Sequence, residues 1–133
     1  MAYIGRLRGR TCLVVYVGSE LARASAVRFA NEGAELIVTD PFLDVAEAVG
    51  AEIRANGGKC TSLQADLGSE IAITRVADCC DQTWDHLDVL MIGGGSLDWW
   101  SYADDSMEKW EEVIRTNLLM PAFYTKALRR LLC

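Results

Sequence analysis

An α/β fold built on a parallel sheet is what this sequence predicts, and three observations predict it. Short apolar runs alternate with longer stretches of helical periodicity along the chain. Glycine, Asp-Pro and Asn-Gly-Gly punctuate the boundaries. The first run, TCLVVYV at 11–17, is apolar at nearly every position, as suits a strand covered on both faces.

The elements follow in order. After the first strand, Ser19 is placed to cap a helix, with Glu20 in its first turn beside the positive end of the dipole. Ala22, Ala26, Phe29 and Ala30 share one helical face, and Gly33 is a natural stop. ELIVT at 35–39 is a second strand. Asp40-Pro41 breaks the chain and starts a second helix with the stripe Val45, Val49 and Ile53, ended by NGG at 56–58. KCTSLQ at 59–64 is a weaker strand. Ser69 is placed to cap a third helix with the stripe Ile73, Val76, Ala77, Cys80 and Trp84. DVLMI at 88–92 is a fourth strand, followed by GGGS. Residues 106–132 read as one long helix, disturbed locally at Pro121 and buried along Trp110, Val113, Ile114, Asn117 and Pro121. The order β-α-β-α-β-α-β-α implies crossover connections and a parallel sheet.

Composition narrows the function. The 133 residues make one domain, 1–133, with no repeat or linker. The net charge is −6 and no basic run occurs, which argues against a nucleic-acid surface. No apolar stretch is long enough to span a bilayer, and the N-terminus lacks the apolar core of a signal peptide, so a cytoplasmic protein is expected. Cys12, Cys60, Cys79, Cys80 and Cys133 form no Cys-x-x-Cys pair and are expected to be buried reduced thiols. With His86 as the one histidine, and that expected to be exposed at a turn, a zinc site is poorly supplied with ligands, and no metal is expected.

Ligands of doubly wound sheets bind outside the carboxyl ends of the strands, where the strand order reverses. Four segments of this chain meet there: 17–21, 40–41, 65–67 and 93–96. Asp40 lies 22 residues beyond Gly18, near the separation expected for an acid that binds a ribose. Its carboxylate is suited to accept hydrogen bonds from the 2′- and 3′-hydroxyls and to repel a 2′-phosphate, which favours NAD over NADP. The alternative is that Asp40 only caps the helix beginning at Pro41.

Several segments resemble the classical short-chain dehydrogenases/reductases. RASAVRFANEGAELIVTD at 23–40 is similar to their first helix and second strand. ADL at 65–67 sits where the family has an acid contacting the adenine, which assigns Asp66 and Leu67 to the cofactor. LDVLMIGGGS at 87–96 resembles the family's DVLVNNAG strand, and SMEKWEEVIRTNLLMPAFYTKAL at 106–128 its long interface helix. The resemblance implies a Rossmann-like parallel sheet of about four strands, order 3-2-1-4, with flanking helices, truncated before the family's catalytic segment. It implies NAD as cofactor, held by Gly18, Ser19, Leu21, Asp40, Asp66, Leu67, Gly93 and Gly94. It implies hydride transfer between a nicotinamide and an alcohol or ketone, and oligomerisation through the 106–132 helix with a second copy or a related subunit. For Asn117 it implies a place in a catalytic proton relay; the alternative is an amide that bonds helix carbonyls.

The departures matter as much. The family's T-G-x-x-x-G-I-G falls on residues 15–22, where Tyr16, Glu20 and Ala22 replace the three glycines. Glu20 sets a carboxylate where a helix N-terminus holds a diphosphate, and like charges about 4–5 Å apart cost about 3–4 kcal/mol. The remaining turn is expected to bend at Gly18-Ser19. The two asparagines of NNAG are Ile92 and Gly93, which leaves either a backbone that passes close to a ribose or a flexible glycine loop. The family's Ser and Tyr-x-x-x-Lys do not occur in these 133 residues; Tyr124 and Lys126 point in different directions, and Tyr102, Ser106 and Lys109 fit no relay. The chain alone is therefore expected to be inactive, with weakened or lost cofactor binding. The alternative function is a non-catalytic relative that acts through a partner or as a weak nucleotide sensor. DWWS at 98–101 is expected to cover the sheet's end, or else to lid a pocket or meet a partner.

Overall fold

The computed structural model describes residues 5–66, 68–94 and 106–133. Strands β1 (Thr11–Val15), β2 (Glu35–Asp40), β3 (Lys59–Gln64) and β4 (Val89–Ile92) form one sheet in the order β3-β2-β1-β4. All three pairings are parallel, with Val14 opposite Val38 on one side and Met91 on the other. The expected order 3-2-1-4 is the one observed.

Alternation along the strands divides the core in two. Cys12, Val14, Leu36 and Val38 face helices α1 (Glu20–Asn31) and α2 (Leu43–Ala55), meeting Ala22, Ala26, Ala46, Val49 and Ile53. Leu13, Val15 and Ile37 face the other side, under α3 (Glu70–Thr83), α5 (Met120–Ala127) and α6 (Arg129–Leu132). Each fully buried Val, Leu or Ile contributes about 1.5–3 kcal/mol, so β1, buried at all five positions, anchors both layers. The expected stripe of α3 is buried throughout. Ser19 and Ser69 cap their helices as expected, accepting from the N–H of Ala22 and Ala72.

The C-terminal helix departs from expectation. It is α4 (Met107–Ile114), a π-helical segment (Arg115–Leu119), α5 and α6. Pro121 has no N–H to return to the carbonyl four residues back, and the ladder widens just before it. Met120 N–H accordingly bonds Arg115 O, five residues back. The extra residue rotates the helix between its halves. Met120, Tyr124, Leu128 and Leu131 are buried, whereas Trp110, Ile114 and Leu118 are 36%, 46% and 63% exposed. The expected buried stripe through Asn117 therefore lies on the open side.

A charged knot closes the amino ends of the strands. Glu32, in the turn before β2, is 2% exposed and accepts from Gly5 N–H and Arg6 N–H at 2.9 and 3.1 Å. It also accepts from the Arg6 and Arg28 guanidinium groups. Gly33 follows at φ 96°, and a Cβ there would lie 3.0 Å from Arg8 Cα, so glycine is required twice over. The backbone N–H of Arg6 and the Arg28 guanidinium hold the Glu32 carboxyl down to about 2, from 4.5. A carboxyl depressed in the fold stabilises fully above its unfolded value and loses that contribution as pH falls toward its folded one. Thermal unfolding followed by circular dichroism is expected to show the melting temperature falling between about pH 5 and about pH 2, and Glu32→Gln is expected to flatten that slope. An unchanged slope in the variant would show that other carboxylates govern acid unfolding.

Candidate active site

The strand order reverses between β1 and β4, and ligands of open α/β sheets bind in the crevice outside the carboxyl ends of the strands at such a point. The loop after β1 lies at this place. Tyr16 N–H and Val17 N–H both bond Thr39 O, at 2.8 and 3.0 Å, so the loop lifts off the sheet within two residues. Tyr16 has φ 66°, the left-handed conformation that glycine adopts without cost and other residues at about 1–2 kcal/mol. The tight turn of the family's first glycine is thus kept, with a tyrosine in it. The chain also turns at Val17-Gly18 and bends at Ser19, as expected, with positive φ at neither Gly18 nor Ser19.

Gly18 serves another purpose. Its N–H donates to Asp40 Oδ2 at 2.8 Å, while Asp40 Oδ1 accepts from Phe42 N–H at 3.1 Å. A Cβ on Gly18 would stand 2.8 Å from Asp40 Oδ2. Asp40 is 3% exposed. It does not cap α2, whose N-cap is Phe42 without a side-chain bond and whose first residue is Leu43. Its carboxylate instead ties the end of β2 to the loop after β1. A cleft of about 340 Å³ beside Gly18 has Val17, Arg23, Asp44 and Val45 on its walls.

Gly93, just past β4, donates its N–H to Val15 O at 2.8 Å. A Cβ on it would sit 2.2 Å from the Ala22 methyl and 3.2 Å from Ser19 Oγ. The glycine lost at 22 and the glycine gained at 93 are one contact, seen from its two sides. Read separately, the two departures gave no signal of this.

The other expected residues are dispersed around the rim. Ser19 Oγ accepts from Ala22 N–H and contacts Tyr16 O at 3.5 Å. Glu20 is exposed as the first residue of α1, and Leu21 is 73% exposed. Asp66 is exposed and accepts from Gly68 N–H at 3.0 Å, turning the chain into α3. Gly94 is half-buried beside Gly93. Leu67, Gly95, Ser96, DWWS and Tyr102 lie outside the described residues. Asn117 is exposed within the π segment and donates to Val113 O at 3.0 Å and Thr116 Oγ1 at 3.3 Å. A feature the sequence reading missed is the apolar rim. Leu21, Phe42, Leu43 and Ile71 lie at the N-terminal ends of three helices and are 50–76% exposed.

Among the described residues no other side chain is set for acid–base or nucleophilic work. Tyr124 is fully buried and burial pushes it up to about 12; Lys126 is exposed, over the Phe123 ring. Burial also pushes the thiols of Cys12 and Cys60 up to about 11 and Cys80 to about 12, which keeps them protonated. Cys12 and Cys80 are buried, Cys60 and Cys79 half-buried, but Cys133 is exposed, because it follows the last turn of α6. His86 is exposed and pairs with Asp88 at the amino end of the sheet, away from the crevice. Among the described residues no helix is long and apolar enough to cross a membrane.

A four-stranded parallel sheet of this order, with helices on both faces, defines a Rossmann-like fold. Residues 10–133 match the family model for short chain dehydrogenases, and the chain belongs to that family. Versicolorin reductase stcU of Emericella nidulans is 30% identical over 113 residues, which are 84% of this chain and 43% of that protein. An uncharacterized NAD-dependent oxidoreductase of Mycobacterium tuberculosis is 30% identical over 128 residues, covering 86% of this chain and 46% of the relative. In fold, a short chain dehydrogenase from Mycobacterium smegmatis superposes with a TM-score of 0.90 at 22% identity, over 98% of this chain and 55% of that one. The chain spans less than half the length of the curated relatives it matches. Members of the family generally bind NAD or NADP.

The crevice fits such a cofactor unevenly. At the exit of β2 the Asp40 carboxylate is 3% exposed, with both oxygens bonded to backbone N–H groups. The start of α1 offers Glu20 to a diphosphate, and no described cation forms an ion pair with it. Arg23, one turn on, is engaged with Glu52 at 2.7 Å.

Proposed function

We propose that these 133 residues form the nucleotide-binding half of a short-chain dehydrogenase-type oxidoreductase that favours NAD over NADP. The observation that carries the reading is Asp40. Its carboxylate stands at the exit of β2, fixed by two backbone N–H groups and in no ion pair with a described cation. A carboxylate has about four lone-pair sites, so one remains on each oxygen, and a ribose hydroxyl reaches it by displacing part of the loop that covers the 3%-exposed carboxylate. A 2′-phosphate at the same place meets an uncompensated negative charge. Ser19, Leu21, Asp66, Leu67, Gly93 and Gly94 complete the proposed cofactor contacts. Asn117 is the proposed contribution to the family's proton relay. The Ser and Tyr-x-x-x-Lys that the family uses for hydride transfer are not among these residues, and we read the polypeptide by itself as inactive. A cytoplasmic location accords with the acidic, ordinary composition.

Thermal unfolding with millimolar NADH or NADPH tests this. NADH is expected to raise the melting temperature and NADPH to leave it in place. For scale, a ligand at about a hundred times its dissociation constant adds about 2.7 kcal/mol, several degrees for a domain of this size. Equal shifts by both dinucleotides would overturn the preference for NAD, and no shift by either dinucleotide or by adenosine, in a cooperatively melting sample, would overturn the nucleotide-binding reading.

A second reading rests on α4 and the π segment. Met107, Trp110, Ile114, Leu118 and Leu119 are 36–71% exposed on this helix. Apolar side chains at helical spacing favour burial against another helix, from a second copy or a related subunit. This reading needs no catalysis, and the loss of the phosphate-loop glycines accords with it.

A further inference from the structure

We infer that the crevice selects uncharged nucleosides over phosphate-bearing ones, so that adenosine binds more tightly than ADP or NADH. The inference rests on the nucleotide-pocket reading above and concerns which part of the nucleotide that pocket still holds.

The retained and lost features fall on opposite sides of the β1–α1 loop. On the nucleoside side, Asp40 is in place at 3% exposure, its oxygens held by the Gly18 and Phe42 N–H groups, beside the exposed, side-chain-free Gly18. Phe42, two residues on, is 68% exposed and held by the same carboxylate through its N–H. An open aromatic ring next to a diol-binding acid is suited to stack on a base, an interaction sequence-tolerant because every base has a π-face. Exposed Leu21 and Leu43 extend this apolar rim.

The phosphate side is reversed in charge. Phosphate binding at a helix N-terminus depends on free N–H groups and a positive dipole end. Here the cap Ser19 Oγ occupies the Ala22 N–H, and Glu20 stands at the first helical position. Arg23, the nearest cation along α1, is turned to Glu52. Glu20, Asp40 and Asp44 leave the segments around Gly18 net negative. A diphosphate brought to within about 4–5 Å of Glu20 is disfavoured by about a hundredfold. A neutral nucleoside does not meet that repulsion.

Isothermal titration calorimetry of the purified chain with adenosine, ADP and NADH at one ionic strength tests the inference. Adenosine is expected to bind at least about tenfold more tightly than ADP or NADH. Glu20→Gln removes the charge at an exposed position and is expected to raise ADP and NADH affinity about tenfold or more, with adenosine unchanged. Phe42→Ala is expected to weaken adenosine about tenfold. ADP or NADH binding as tightly as adenosine to the unaltered chain overturns the inference and leaves the nucleotide pocket standing. A Glu20→Gln variant with unchanged preferences also overturns it. No binding of any of the three overturns the nucleotide-pocket reading itself, and this inference with it.

Discussion

Gly93→Ala is expected to destabilise the chain by about 1–3 kcal/mol, and a second change, Ala22→Gly, is expected to recover most of that loss. The new methyl would stand 2.2 Å from the Ala22 methyl, well inside van der Waals contact. Neither side can give easily. Ala22 is fully buried one turn into α1, and Gly93 is tied by its N–H to Val15 O at the centre of the sheet. Ala22→Gly alone removes a buried methyl and places glycine in a helix, which costs about 1 kcal/mol. In the pair, that change opens the space the new methyl needs. Urea unfolding of the two single variants and the double variant gives the coupling, expected at about 1–3 kcal/mol. Additive effects would mean that residues 22 and 93 do not touch.

Asp40→Ala is the second large effect, expected to cost about 2–4 kcal/mol. The carboxylate is 3% exposed and accepts from two N–H groups, Gly18 at 2.8 Å and Phe42 at 3.1 Å. A buried donor left unpaired costs about 1–3 kcal/mol, and hydrogen bonds to a charged acceptor lie at the strong end. Asp40→Asn keeps the shape but turns one NH2 toward a backbone donor, so its loss is expected to be smaller. Denaturant midpoints for the two variants decide the matter. An Asp40→Ala variant as stable as the parent would show that the carboxylate does not hold the loop, and its burial would need another reason.

The sequence determined the layers. Apolar runs of strand length, helical stripes between them, Ser19 and Ser69 as caps and Gly33 as a stop are local signals, because propensity and periodicity act over a few residues. The family resemblance of 23–40, 65–67, 87–96 and 106–128 also carried the strand order. In the C-terminal helix the local signal was incomplete. Pro121 announced a disturbance, but its answer, a π segment before the proline, moved the buried face from Asn117 to Met120 and Tyr124. Side-chain spacing carries no information about a register that changes midway.

Tertiary structure decided the site. That Tyr16 takes a left-handed turn depends on two N–H groups sharing Thr39 O across the sheet. That Asp40 binds Gly18 depends on β2 lying next to β1. That the glycine at 93 compensates the alanine at 22 depends on β4 lying on the other side of β1. Each contact joins residues 22 or more positions apart, and each is set by distances of a few tenths of an ångström. A linear sequence shows which residues have changed. Only the packed chain shows which changes answer one another.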